Sequence, residues 1–147
     1  MPQSFMDDAL ADARGAQAAD EVPVGCVIVR ASVVIARAGN RTLRDRDPTA
    51  HAEMLAIRQA GTKLGTERLT DCDLYVTLEP CAMCTAAISF ARIRRLYYGA
   101  ADRKGGAVEN GVRFFSSPTC HHRPEVYGGI GQSESSALLK DFFKARR

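Results

Sequence analysis

The apolar positions change period several times along the chain, and each change marks an element. Phe5, Ala9, Leu10 and Ala13 recur at helical spacing behind Ser4, which can cap a helix start, so the pattern predicts a helix from Ser4 to about Ala19. From Val24 the spacing tightens. "VGCVIV" (24–29) and "VVIARA" (33–38) are β-branched runs on either side of a short polar break, the pattern of a hairpin, and Asn40 follows at the exit of the second strand. A second helix opens between Asp47 and His51, with Asp47 and Pro48 as start signals, and is expected to close at Gly61.

Strand, helix and strand then follow in quick succession: "DLYVTLEP" (73–80), "CAMCTAAISFA" (81–91) and "RRLYYGA" (94–100). A βαβ unit of this kind predicts two parallel strands. Residues 102–132 are rich in Gly and Pro and read as loops, with one short helix near "VRFFSS" (112–117) and an edge strand near "EVY" (125–127). "SESSALLKDFFKA" (133–145) closes the pattern as an amphipathic helix whose apolar side is Leu138, Leu139, Phe142 and Phe143. The sum is an α/β fold, a three-layer α/β/α domain over residues 1–147 around a central mixed five-stranded sheet.

Composition narrows what such a domain does. With 147 residues, 46% apolar and 25% charged, the chain can build an ordinary core without staples. Asp7, Asp8 and Asp12 rule out a secretory h-region at the start, and no apolar run approaches the ~18 residues of a membrane span, so a cytoplasmic protein without membrane contact is expected. Five cysteines in that compartment point to metal ligation or catalysis before disulfides. The net charge of +3 does not by itself mark a nucleic-acid binder, although basic residues gather toward the C-terminal half.

The cysteines supply the first chemistry. Cys81 and Cys84, at i and i+3, share one face of a helix, and Pro80 suits its first position. A helix N-terminus favours thiolate, the form that zinc binds. No second CxxC completes a four-cysteine site, and the histidines are His51, His121 and His122. His51 stands at a helix mouth beside Glu53. Two residues apart on a regular helix they would face about 200° apart, at about 100° per residue. If the backbone at His51 is not yet helical, both can reach one centre from different sides. His51, Cys81 and Cys84 then bind zinc with a fourth position open, and Glu53 stays off the metal as the proton carrier. Cys26 and Cys72 read as buried small residues, and Met54, Met83 and Phe90 as core. Cys120 beside His121 and His122 is a weaker candidate for a second metal site.

"HAE" (51–53) with "PCAMC" (80–84) is the known signature H-x-E with P-C-x-x-C of zinc-dependent nucleobase deaminases. The chain as a whole resembles the bacterial tRNA wobble-adenosine deaminases (TadA type) of the cytidine deaminase superfamily. The likeness runs through "EVPVG", "GNR", "DPTAHAE", "LYVTLEPCAMC", "RI" with "YGA", "HR" and "LLKDFFKARR". It implies hydrolytic deamination of adenosine to inosine in a tRNA anticodon loop. It also implies one zinc per subunit on His51, Cys81 and Cys84, Glu53 as catalytic residue, a homodimer, and no organic cofactor. Asn40, the backbone at Glu79 and Pro80, and Asp102 are then expected to meet the substrate. Lys104, Phe142, Phe143, Arg146 and Arg147 are expected to meet the surrounding RNA. "RKGGAVENGVRFF" (103–115) departs from the family's usual loop. Two alternatives share the zinc motifs: a deaminase of free guanine, cytosine or cytidine, and a non-catalytic zinc-stabilised RNA-binding module.

Overall fold

The computed structural model describes residues 5–146; the predicted cap at Ser4 and the predicted RNA contact Arg147 lie outside the described residues. Helix α1 (Met6–Ala18) leads into strands β1 (Gly25–Arg30) and β2 (Val33–Gly39), followed by α2 (Ala52–Leu64), β3 (Cys72–Leu78), α3 (Ala82–Phe90) and β4 (Arg95–Ala100). A short 3-10 turn (Phe114–Ser116), β5 (Glu125–Tyr127) and α4 (Gln132–Ala145) complete the order. The expected elements are therefore all present, and the five strands form one mixed sheet in the order β2-β1-β3-β4-β5. Strand β1 runs antiparallel to β2 and β3, whereas β3, β4 and β5 run parallel.

Alternation along the strands splits the core into two layers. Cys26, Ile28, Leu74, Val76, Leu96 and Tyr98 pack toward Ala52, Ala56 and Ala60 of α2 and Ile88 of α3. Val27 and Val29 face the other way, against Met6, Ala9 and Leu10 of α1, with Leu138 of α4 at the margin. Strands buried on both faces need apolar residues at every position, which is why β1 reads as an unbroken run. Close approach of α1 to β1 depends on Gly25. A side chain there would strike the Ala9 carbonyl and come within 2.5 Å of the Ala13 nitrogen.

Helix α2 runs past the expected close at Gly61 and ends at Leu64. Gly61 lies inside it, and Gly65, with φ 68°, is the left-handed cap that stops the helix. The predicted first helical residue Pro80 likewise precedes α3, whose cap is Cys81. Phe90, expected in the core, is the last residue of α3 and is 71% exposed. Within α4, Phe142 is buried but Phe143 is 51% exposed, so the apolar side is narrower than predicted.

Sheet directions decide where function can sit. Gly25 pairs with Gly39 and Leu78 with Ala100, so the C-terminal ends of β2, β3 and β4 meet the start of β1 at one edge. The segments that follow, from Asn40, Glu79 and Asp102, converge there with the mouths of α2 and α3. Ligand sites in α/β sheets form at this end.

Candidate metal centre and substrate cleft

His51 is the N-cap of α2 and Cys81 the N-cap of α3, both in extended conformation (φ −72°, ψ 152° and φ −75°, ψ 177°). A cap residue is not yet on the helical spiral, so His51 and Glu53 are released from the opposed facing that i and i+2 would impose. Asp47, read as a helix start, instead closes a turn: its Oδ1 accepts from the Thr49 N–H at 2.8 Å and the Thr49 hydroxyl at 2.7 Å. That turn delivers His51 to the mouth of α2.

His51 Nδ1 lies 3.6 Å from Cys81 Sγ and 3.5 Å from Cys84 Sγ. The three ligand atoms all fall within 4.8 Å of one another, and they form the one such cluster among the described residues. Tetrahedral zinc with bonds of about 2.05 Å to nitrogen and about 2.3 Å to sulfur requires a nitrogen–sulfur separation of about 3.6 Å. The donor set therefore fits zinc both in chemistry and in spacing. Thr85 braces it from the first turn of α3, donating from its hydroxyl to the Cys81 carbonyl at 2.7 Å.

Electrostatics distinguish the members of the centre. Hydrogen bonding from Cys84, joined by His51, draws Cys81 down to about 4, so it is thiolate at neutral pH. Its partner Cys84 is pushed far up, first by that shared hydrogen bond and then by burial. The hydrogen bond with Cys81 raises His51. Glu53 is only 4% exposed, and burial pushes its carboxyl up to about 7.

A cleft of about 330 Å³ opens over this centre. His51, Glu53 and Cys81 lie at its base, Val22, Val24, Asn40 and Thr42 line one lip, and Glu79, Asp102 and Gly105 line the other. Both Asn40 and Asp102, expected to meet substrate, thus face one space with the metal ligands.

Glu79 has a further occupation. Its Oε1 accepts from the Asp102 N–H at 2.9 Å and the Asn110 side-chain amide at 2.7 Å, while Oε2 accepts from the N–H groups of Val108, Glu109 and Asn110 at 3.0, 2.9 and 3.1 Å. Burial raises its pKa, but these hydrogen bonds outweigh it and hold the carboxyl below the usual value. Close approach also constrains Gly106, where a side chain would come within 2.5 Å of the Glu79 carboxyl carbon. The Pro80 carbonyl accepts from the Ala107 N–H at 2.9 Å, so loop 102–110 is tied to the mouth of α3.

The remaining expected contacts are placed more loosely. Lys104 is exposed on the loop beside Asp102. At the end of α4, the Arg146 guanidinium stacks 3.6 Å above the Phe142 ring and pairs with Asp20 at 2.9 Å. No second metal cluster forms among the described residues at Cys120, His121 and His122. Cys120 instead donates to the His122 carbonyl at 3.1 Å, and the His122 ring nitrogen Nε2 lies 2.7 Å from the Ile93 carbonyl, which anchors that loop to the segment between α3 and β4. One group went unnoticed in the sequence. Glu21 is fully buried and holds loop 40–47; its signal is weak, an acid that follows Asp20 and opens the apolar run "EVPVG".

Comparison with known proteins agrees with this geometry. The family model for the cytidine and deoxycytidylate deaminase zinc-binding region matches residues 1–100. The tRNA-specific adenosine deaminase of Agrobacterium fabrum is 64% identical, covering 97% of this chain and 94% of the relative. That of Bacillus subtilis is 38% identical over 97% and 89%. A solved chain from a study of A-to-I editing by tRNA:A34 deaminases superimposes with TM-score 0.91 at 65% identity, covering 92% of this chain and 98% of that one. A guanine deaminase from Nitrosomonas europaea gives TM-score 0.78 at 26% identity, over 97% and 84%. With residues 1–100 matched by that family model and nearly the whole chain matched by a relative at 64% identity, the chain belongs to the cytidine and deoxycytidylate deaminase zinc-binding family.

Proposed function

We propose that this protein is a zinc-dependent deaminase that converts the wobble adenosine of tRNA to inosine. The observation that carries the reading is a buried, unligated carboxyl, Glu53, beside a zinc-shaped His51–Cys81–Cys84 triad at the base of a nucleobase-sized cleft. Relatives named as tRNA-specific adenosine deaminases, up to 64% identical, set the substrate.

The reaction forms a bond from water oxygen to adenine C6 and breaks the bond from C6 to the exocyclic nitrogen, so ammonia leaves and inosine remains. When bound, one zinc ion per subunit on His51, Cys81 and Cys84 supplies the Lewis acidity that lowers the pKa of water to about 7. Glu53 carries both protons that water gives up: the first goes to the ring nitrogen, and the second, from the oxygen now bonded to C6, goes to the departing amine. Its location out of solvent keeps these protons in the cleft. Asn40 on one lip and Asp102 on the other orient the nucleoside and its ribose.

A loop nucleotide must be splayed out to enter such a cleft, with neighbouring bases stacked and phosphates neutralised. Exposed Phe143 suits stacking, and exposed Lys104 suits a phosphate. Arg146 offers a cation at the end of α4, close to Phe143 in the chain. Pairing of two copies through the groove around Ile57, Ala87 and exposed Phe90 would cover an apolar patch that the single chain leaves open. The working site is the cytoplasm, where tRNA is matured.

Incubating zinc-loaded protein with an arginine-tRNA anticodon stem-loop that carries a wobble adenosine should yield inosine, read by nucleoside chromatography. Faster ammonia release from free guanine, cytosine or cytidine would shift the substrate away from RNA. RNA binding without any inosine, and left unaltered in Glu53→Ala, would reduce the protein to a binding module.

A further inference from the structure

Among the described residues Glu21 is the most enclosed acid, at 0% exposure, and it has no place in the proton chemistry. It stands between α1 and β1, directly before the cleft residues Val22 and Val24. Its two oxygens take consecutive backbone groups of the opposite strand's exit loop. Oε1 accepts from the Leu43 N–H at 3.1 Å, and Oε2 accepts from the Arg44 N–H at 2.9 Å and from the Arg44 Nε at 3.1 Å. Arg44 Nη2 in turn donates to the Asn40 carbonyl at 3.1 Å.

Burying a carboxylate is costly unless charge and hydrogen bonds compensate it, so a site that does so completely is fixing something. Loop 40–47 otherwise hangs from its base: Asn40 donates to the Val24 carbonyl and Arg41 to the Ala50 carbonyl, both at 3.0 Å. Apart from the Ala50 N–H, which donates to the Asp47 carbonyl at the loop's far end, its other backbone bonds, from Asp45 to Arg41, Arg46 to Leu43 and Asp47 to Thr42, are internal. Internal bonds shape a loop without placing it. Glu21 is the attachment at its middle, and the residues it steadies, Asn40 and Thr42, line the cleft.

We propose that Glu21 is a positioning residue for nucleoside binding: through Leu43 and Arg44 it holds residues 40–44 so that Asn40 and Thr42 form the cleft wall facing Glu79 and Asp102. This rests on the cleft being the nucleoside site. A carboxylate that merely joined α1 to β1 would support the fold but would not distinguish RNA with a wobble base from RNA without one.

The test uses the full chain loaded with zinc and two anticodon stem-loops, one with a wobble adenosine and one abasic at that position. Glu21→Gln keeps the volume but turns an NH2 group toward backbone donors. It should bind the adenosine stem-loop about tenfold more weakly, bind the abasic one like the wild type, and retain its zinc. In a double-mutant cycle, Asn40→Ala should cost far less in the Glu21→Gln background than in the wild type. Independent, multiplying penalties or an equal loss on the abasic RNA would overturn the proposal. If Glu21→Gln fails to fold, Arg44→Met, which leaves the two backbone bonds and removes the bridge to Asn40, should show the same selectivity at about threefold. Hydrogen exchange separates this idea from the substrate reading. The Leu43 and Arg44 amides should exchange about tenfold faster in Glu21→Gln while α2 amides stay protected, whatever the substrate; unchanged protection sinks the clasp, whereas absence of inosine from the wild type sinks the substrate.

Discussion

Three glutamates are buried to nearly the same degree around the cleft, yet two environments pull them apart: Glu53 at its base is 4% exposed, while Glu21 and Glu79 behind its lips are 0% and 2% exposed. Burial pushes all three toward the neutral form. At Glu53 burial wins and the carboxyl rises to about 7. At Glu21 and Glu79 backbone and side-chain donors outweigh burial and hold the charge. The difference teaches that donors, not depth, set the role of a buried acid here. A carboxyl saturated by fixed N–H groups has no lone pair to spend on a moving proton, whereas one nearly free of them can take a proton and release it.

The comparison is tested most severely at Glu53. Glu53→Gln should lower kcat by about 10²–10⁴-fold, the range for loss of a general acid–base group, while zinc content stays at the wild-type level. Because the one backbone donor to that carboxylate is its own N–H, and no loop hangs on it, thermal stability should not fall. A variant with ordinary turnover, or one that loses its metal or its fold, would mean that Glu53 is another clasp and the contrast false.

Glu79 should show the reverse pattern. Glu79→Gln presents an NH2 group to donors of residues 102–110, which should cost roughly 1–3 kcal/mol of stability. In a domain of this size each kcal/mol corresponds to about 2–4 °C in melting temperature. Turnover of the stem-loop should fall through KM more than through kcat, because loop 102–110 carries Asp102 and Lys104, the proposed contacts to RNA. Wild-type stability in Glu79→Gln would show that its bonds contribute nothing, and the division between shuttle and clasp would lose one of its halves.

How much of this was legible before the structure follows the same division. Features written in local spacing were readable. The strands of Cys26 and Val76 announced themselves by β-branched runs, the ligand pair Cys81 and Cys84 by a helical step, and His51 with Glu53 by a conflict that only a helix cap resolves. Features that join distant positions were not. Glu21 reaches residue 44 and Glu79 reaches residue 110, and no period or motif records a hydrogen bond across such gaps. Glu79 was expected at the substrate through its backbone, whereas its side chain is spent on the loop. Small errors had local causes: Gly61 is tolerated inside α2 because the left-handed stop falls to Gly65 instead. Phe143 completed an apolar stripe on paper but turns outward in the fold.

The mildest expected effect comes from pH and applies to Glu21, which sits away from the metal ligands. Its unfolded-state value is near 4.5, and in the folded protein burial raises it but the bonds from Arg44 and Leu43 lower it further, leaving a net depression. A group depressed by folding adds stability that is complete above the unfolded value and disappears as pH falls through the folded one. Glu21→Gln cannot titrate, so the stability difference between wild type and variant should be constant from pH 7 down to about 4.5 and then narrow with further acidification. Subtracting the two unfolding curves cancels the other carboxylates and any acid release of metal that both proteins share. A difference that stayed flat below pH 4.5 would mean that Glu21 keeps its proton affinity on folding, and its hydrogen bonds would then be compensating burial without holding charge at all.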